Sequence, residues 1–326
     1  MCCRRIQIAT LIFVLVLASH AIAGCTRAPS NGTPAQIVIE RIESGYLFRE
    51  GSDSVLVYRH EVVRPGHVHA RSHYVHPLYS LSGAGLTVDF PADHPHQHGI
   101  FWAWHQVEVE GRRIGDAWIQ DGVEWTVRDV EMLDDLAAPA LRAHVEWTSP
   151  NYLDDAGRPV PFIEETATIQ VHAAKAGFRS IDFTIAVRAL AEGVRLGGSE
   201  DVKGYGGFSA HVRLPGDVRF TGQGGLVQPE DTEVLAGPWV DITGTIDENG
   251  PSGIAIFQHP DNPGYPNPWI LRSEASMQNV KWPGAEPYLL PQDEVVVLRY
   301  RLIVHEGGTD AAIMQHAYEA YSANER

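Results

Sequence analysis

The sequence predicts an all-β protein, a large antiparallel β-sandwich with a short C-terminal helix. Three observations predict it. Short runs rich in β-branched and aromatic residues recur along the chain, most of them alternating apolar with polar as half-buried antiparallel strands do. Their connections are dense in turn formers, with 31 Gly and 21 Pro in 326 residues. Helical periodicity is nearly absent, so the helices that a doubly wound α/β fold needs between its strands are missing.

The chain opens with Arg4 and Arg5, a mostly apolar run from Ile6 to Ala23 and small residues before Cys25, the layout of a secretory signal. Ile22-Ala23-Gly24-Cys25 resembles a bacterial lipobox, in which the cysteine is acylated and becomes the new N-terminus. His20 inside so short a run argues against a spanning helix, which needs about 20 predominantly apolar residues. The expected organisation is a signal peptide at 1–24, a flexible polar tether at 25–35 and one domain at 36–326. It places the protein outside the cytoplasm, held to a bacterial membrane by the lipid on Cys25. Thr26, in place of an aspartate, points towards the outer membrane or its periplasmic face. The three cysteines are Cys2, Cys3 and Cys25, so the mature chain is expected to hold no disulfide and no thiolate metal site. With 25 Lys+Arg against 41 Asp+Glu, a formal net charge of −16, the surface repels phosphate backbones and excludes a nucleic-acid partner.

Strand signals then run in order through Gln36 to Glu40, Ser54 to Tyr58, Leu86 to Phe90 and Val107 to Glu110. They continue through Ala143 to Trp147, Ala167 to Val171, Ile181 to Val187, Ala210 to Leu214, Gly253 to Phe257 and Glu294 to Val304. Glu110-Gly111-Arg112-Arg113 and Asp247-Glu248-Asn249-Gly250 read as hairpin turns. At the C-terminus Ile313, Met314, Ala317, Tyr318 and Tyr321 make an apolar stripe at helical spacing, expected to pack on the sandwich.

Chemistry concentrates in three segments. The first is Asp93-His94-Pro95-His96-Gln97-His98-Gly99, a loop feeding an aromatic strand that ends at His105. Four histidines in twelve residues suit acid–base work near neutral pH, and in extended backbone His94, His96 and His98 share a face and suit a metal. A hydrogen-bonded loop is the plainer reading. The second is the glycine-rich connection Leu196 to Ser209, holding Lys203 and Tyr205; with no helix after it, it is no phosphate cradle. The third is the proline-laced His259-Pro260-Asp261-Asn262-Pro263 with Trp269, whose aromatic, carboxylate and amide groups suit a sugar. A second histidine group, His67-Val68-His69 with His73 and His76, reads as strand surface or site wall. Glu164-Glu165 offers a carboxylate base, although a solvated pair is the stronger reading.

These motifs together resemble the bacterial family named PmoA, or methane oxygenase PmoA. The resemblance rests on Asp93-His94-Pro95-His96-Gln97-His98-Gly99, Lys203-Gly204-Tyr205-Gly206-Gly207-Phe208-Ser209, His259-Pro260-Asp261-Asn262-Pro263 with Pro268-Trp269, and Leu298 to Gly307. It spans nearly all of the mature chain. It implies an all-β domain resembling the galactose mutarotase sandwich, in settings of polysaccharide breakdown. The chain departs from that pattern at Gln97-His98, where many members carry His-Arg, and at Arg71-Ser72-His73.

The expectation is therefore a lipid-anchored, carbohydrate-active protein whose three motif loops converge on one cleft, with a hydrolase, lyase or epimerase outcome. His96 and His98 are the expected acid and base, with Lys203 stabilising developing negative charge. Asp93, His105, Tyr205, His259, Asp261, Asn262 and Trp269 are expected to hold the sugar. No cofactor is needed in that reading. Two alternatives stand beside it: a divalent-metal enzyme using His94, His96 and His98, and a non-catalytic glycan-binding module.

Overall fold

The computed structural model describes residues 36–63, 69–274 and 276–323. The expected signal peptide, the tether with Cys25, and His67 lie outside the described residues. Pairing is antiparallel throughout the named ladders, as the alternating sequence requires. An eight-stranded sheet runs in the spatial order Ile37–Ile42, Gly45–Glu50, Asp53–Arg59, Tyr74–Leu78, Ile100–Ala103, Gly207–Ala210, Gln278–Val280, Trp269–Ile270. A nine-stranded sheet faces it, with the long strands Phe178–Ala189 and Val296–Glu306 at its centre and Glu124–Leu133 at one edge. A small four-stranded sheet carries Gln106–Val109 and the hairpin partner Arg112–Gly115.

The period-two pattern sorts side chains onto faces. In Ile100–Ala103, Ile100 and Trp102 enter the main core between the sheets, while Phe101 and Ala103 join a separate apolar cluster with Tyr74, Trp118 and Ile270. In Gly250–Gln258, Ile254 and Ile256 face the same main core, whereas Ala255 and Phe257 meet the C-terminal helix. The molecule thus has one interior and two outer faces, each with its own cover. The helix Ala311–Ala323 covers the nine-stranded face through Met314, Tyr318 and Tyr321. Ile313, counted in the sequence stripe, stays 45% exposed.

The two sheets are joined by aromatic contacts, among them Phe208 stacked on Tyr300 at 4.3 Å and Trp104 against Trp147 at 5.8 Å. Such pairs add about 0.5–1.5 kcal/mol each beyond their buried area. The strand boundaries differ from sequence expectation in two places. Leu86 to Phe90 forms only isolated bridges, with Thr87 pairing Val212, and the strand near Ala210 lies before that residue, at Gly207–Ala210. The two segments are joined by scattered backbone bonds, Val88 N–H to His211 O at 2.9 Å and Arg213 N–H to Leu86 O at 2.7 Å, and Thr87 Oγ1 takes the Leu78 N–H at 3.0 Å in place of a ladder carbonyl.

The pair Glu164-Glu165 is split by the same alternation. Glu164 lies on the solvent side and pairs with Arg188, whereas Glu165 is fully buried in the sandwich. Its carboxylate accepts from Trp102 Nε1 at 2.6 Å, Trp147 Nε1 at 2.8 Å and His73 Nε2 at 2.7 Å. The solvated-pair reading is therefore wrong for Glu165. Tyr58 closes the chain, its hydroxyl 2.7 Å from His73 Nδ1. Burial, then the charge of Glu165, raises the Tyr58 phenol and keeps it a proton donor.

Candidate functional site

The outer face of the eight-stranded sheet gathers the histidines. The segment from Pro91 to His98 is not extended: His94 N–H bonds Pro91 O at 3.1 Å and Gln97 N–H bonds His94 O at 2.9 Å, two turns in succession. His94, His96 and His98 therefore do not share a face, which corrects the metal arrangement drawn from their spacing. Among the described residues no group of three His, Cys, Asp or Glu side chains is placed to hold a metal ion. His98 turns inward, fully buried between Tyr74 (4.9 Å) and Phe90 (4.5 Å), its Nδ1 2.9 Å from Asp89. Burial, then Arg71, pushes its proton affinity far down, so it is a neutral core histidine, which argues against the acid or base role expected of it.

His96 stays at the surface of the cluster. Its ring lies 5.8 Å from His69 and 6.0 Å from His94. Burial, followed by the neighbouring His69, His94 and His105, lowers its pKa to about 4, so the imidazole is neutral at neutral pH. Asp93 pairs with His94 at 3.2 Å on the open side, with both side chains well exposed.

His105 is the best-prepared proton acceptor. Its Nδ1 is 2.8 Å from Asp116 Oδ2, and its Nε2, itself buried although the side chain is partly exposed, has no hydrogen-bond partner. Asp116 is itself fixed, because its other oxygen accepts the N–H groups of Trp118 at 3.0 Å and Ile119 at 3.2 Å. An aspartate followed by two free N–H groups is a turn that closes on its own side chain, which is why this carboxylate holds still. The His105 ring stacks on buried Trp118 at 5.3 Å and meets the edge of Tyr205 at 4.9 Å. A carboxylate-oriented imidazole with a bare second nitrogen is the arrangement of a general base.

The glycine-rich connection delivers Tyr205 to this place. Gly198 lies so close to Gly204 that a Cβ there would meet Gly204 O at 2.2 Å, and Gly204 has φ +57°, so both positions require glycine. Burial, then Asp201 and Asp116, raises the Tyr205 phenol, leaving it a neutral hydrogen-bond donor. Lys203 lies in the same turn, its N–H on Asp201 at 3.0 Å, but among the described contacts its ammonium does not reach the imidazoles.

The third motif lies elsewhere. His259 is buried with its ring 5.2 Å from Tyr321 of the C-terminal helix, on the outer face of the other sheet. Asn262 exchanges hydrogen bonds with the Arg299 backbone at 2.8 and 2.7 Å, and Asp261 approaches Arg299 at 3.9 Å. Trp269 is fully buried in the main core and donates to Gly237 O at 2.9 Å. This loop is a structural clasp. Three-loop convergence is overturned: the segments at 93 and 205 meet, and that at 259 does not.

Residues outside the three motifs adjoin the site. His69, assigned to a wall, donates its Nδ1–H to Ile119 O at 2.9 Å. Gln120 donates to His96 O at 3.2 Å and to Trp118 O at 2.8 Å. His69 and Gln120 line a cleft of about 300 Å³ together with Ser72, Glu124 and Trp125. His69, Phe90 and Gln120 all have positive φ, at 56°, 46° and 56°. Left-handed backbone at non-glycine residues costs on the order of 1 kcal/mol each and clusters at functional sites. A larger hollow of about 530 Å³, lined by Gln223, Leu226, Glu230 and Glu233, has no imidazole on its walls.

Residues 48–319 match the model of the family of unknown function DUF6807. The chain belongs to DUF6807. No curated protein matches it significantly. The DUF6807 match takes in the histidine cluster, the glycine-rich turn and the clasp at His259. Among the described residues no helix is long and apolar enough to cross a membrane.

Proposed function

We propose that this DUF6807 protein is a carbohydrate-active enzyme that moves a proton at a sugar carbon or glycosidic oxygen. The observation that carries the reading is the His105–Asp116 pair: an imidazole with Nδ1 held by a fixed carboxylate and a buried Nε2 without a partner, stacked on Trp118 and edged by Tyr205. His105 acts as the base, taking over the role that the sequence assigned to His98. Neutral His96 and the Tyr205 phenol are the opposing donors, and Asp93 and His94 sit at the open rim. Such proton transfer contributes roughly 10²–10⁴-fold to rate.

The resemblance to PmoA-named proteins found in settings of polysaccharide breakdown supports the same substrate class. The lipobox-like Ile22-Ala23-Gly24-Cys25 supports an enzyme tethered outside the cytoplasm, checked by the mass of the mature N-terminal peptide. The test of activity is incubation with a panel of oligosaccharides and mass spectrometry of the products. A product that forms with the native chain and not with His105→Gln or Asp116→Asn supports the enzyme. Tight binding without turnover, unaffected by both variants, supports a glycan-binding module instead.

A further inference from the structure

A buried proton acceptor has to be uncovered before it meets a substrate. The His105 side chain is 14% exposed, and its Nε2 is buried without a partner. Two rings close on the imidazole, Trp118 at 5.3 Å and Tyr205 at 4.9 Å. Trp118 is fully buried and packs on Phe101 at 5.3 Å, inside the outer-face apolar cluster. Tyr205 is half-buried, packs against that cluster from outside, and rides on the glycine-rich turn. Tyr205 is thus the cover that can leave without opening a sealed core.

The turn is bonded to itself. Ser199 N–H bonds Tyr205 O at 2.9 Å and Tyr205 N–H bonds Ser199 Oγ at 3.1 Å, while the Ser199 hydroxyl and the Lys203 N–H donate to Asp201 at 2.7 and 3.0 Å. Glycines flank it, Gly197-Gly198 before and Gly206-Gly207 after, with Gly207 at φ +92°. Both ends are anchored: Gly198 N–H bonds Gly284 O at 2.7 Å, and Gly206 O accepts the Trp282 N–H at 3.1 Å. Between these anchors one described hydrogen bond leaves the turn, from Arg113 Nη1 to the Glu200 carboxylate at 3.2 Å. Gly204 touches the Gly284-Ala285 backbone by packing alone, so closely that a Cβ would meet Ala285 N at 2.8 Å.

The same guanidinium holds the other side. Arg113 Nη2 donates to His105 O at 2.6 Å and Nε to Gly115 O at 3.1 Å. Arg113 therefore bridges the backbone of the base and the turn that covers it. With side chains 37% and 72% exposed, its pair with Glu200 is weak and screened by salt, as a contact that releases and re-forms must be.

We infer that residues 199–205 form a lid over His105, hinged at the flanking glycines and latched by Arg113 on Glu200. Opening uncovers Nε2; closing returns the Tyr205 phenol to its place opposite the base and excludes water. This rests on the His105 reading above and adds the gate of that site. The test needs no substrate: diethyl pyrocarbonate modification of the full chain, read at each histidine by peptide mass spectrometry. His105 is expected to react more slowly than the more exposed His94, and to speed up roughly two- to fivefold in Glu200→Gln and in the native chain taken from low to high salt. Fully buried His73 is the unreactive control, and the salt series keeps the inference testable if the variant does not fold. A native His105 as reactive as His94, or a rate that either change leaves unmoved, overturns the lid and leaves the base standing. A His105 that never reacts overturns both, and failure of the sugar panel with the expected lid readout overturns the enzyme reading alone.

Discussion

Asp116 and Glu165 show how differently two carboxylates act when each holds a histidine. Asp116 is partly exposed and orients His105, so its removal costs function more than fold. Asp116→Asn is expected to lower turnover by roughly 10²-fold or more, with the KM changed far less than kcat, because the amide no longer fixes the Nδ1–H tautomer. Steady-state kinetics beside an unchanged circular dichroism spectrum checks this. Glu165 is sealed, and three buried donors depend on it. Glu165→Gln is expected to destabilise by about 3–5 kcal/mol, because an amide cannot accept from all three without turning its own NH₂ against an indole. Glu164→Gln, on the solvent side, is expected to cost under about 1 kcal/mol. Urea denaturation of the two variants separates them.

At the scale of elements, each motif loop follows the strand that feeds it. The strand Ile100–Ala103 and the turn before it place His96, His98 and His105 on one outer face, whereas Gly250–Gln258 delivers His259 to the other. The clasp joins strand Val296–Glu306 to the helix Ala311–Ala323 through Asn262 and the His259–Tyr321 contact. Asn262→Ala is expected to cost about 1–3 kcal/mol, since it removes the acceptor of the Arg299 N–H and one of the two donors to the Arg299 carbonyl, which keeps the His259 N–H, while turnover stays within twofold. Thermal unfolding and a kinetic assay on the same preparation check both halves.

Much of this was legible in the sequence. The strands from Ala143 to Val187 and the stripe of Met314, Tyr318 and Tyr321 were plain because one residue in two, or one turn in each helical period, must be apolar. The turn-rich loop around His96 announced chemistry by histidine density. The partners did not announce themselves: Asp116 and Gln120 sit in an unremarkable turn after a hairpin, and His69 lies in another segment. Asp116 meets His105 through the register of the hairpin Gln106–Val109 with Arg112–Gly115, whose turn was legible but whose bulged register was not, and His69 reaches Ile119 across 50 residues, which no local spacing records. The buried side of Glu165 was concealed for a related reason, since an acidic pair reads as solvated until alternation assigns its two members to opposite faces.

For the whole molecule, histidines kept neutral by folding tie stability to pH. His96 and His211 both have pKa values lowered to about 4, chiefly by burial, against about 6.5 in the unfolded chain. Their folded proton affinity is depressed, so the unfolded chain binds more protons between these values. Their contribution is complete above pH 6.5 and is lost as pH falls towards 4. The melting temperature is expected to drop over that interval, and by less in the His96→Gln chain; a melting temperature flat from pH 7 to 4 contradicts this.

The location of the site is tested most directly by one side-by-side measurement. Turnover of the best sugar from the panel is compared for the native chain, His105→Gln and His259→Ala, with all three confirmed folded. The account predicts a loss of roughly 10²–10⁴-fold for His105→Gln and a change within twofold for His259→Ala. Turnover that survives the first substitution and collapses with the second would move the chemistry to the opposite face of the sandwich and contradict the account.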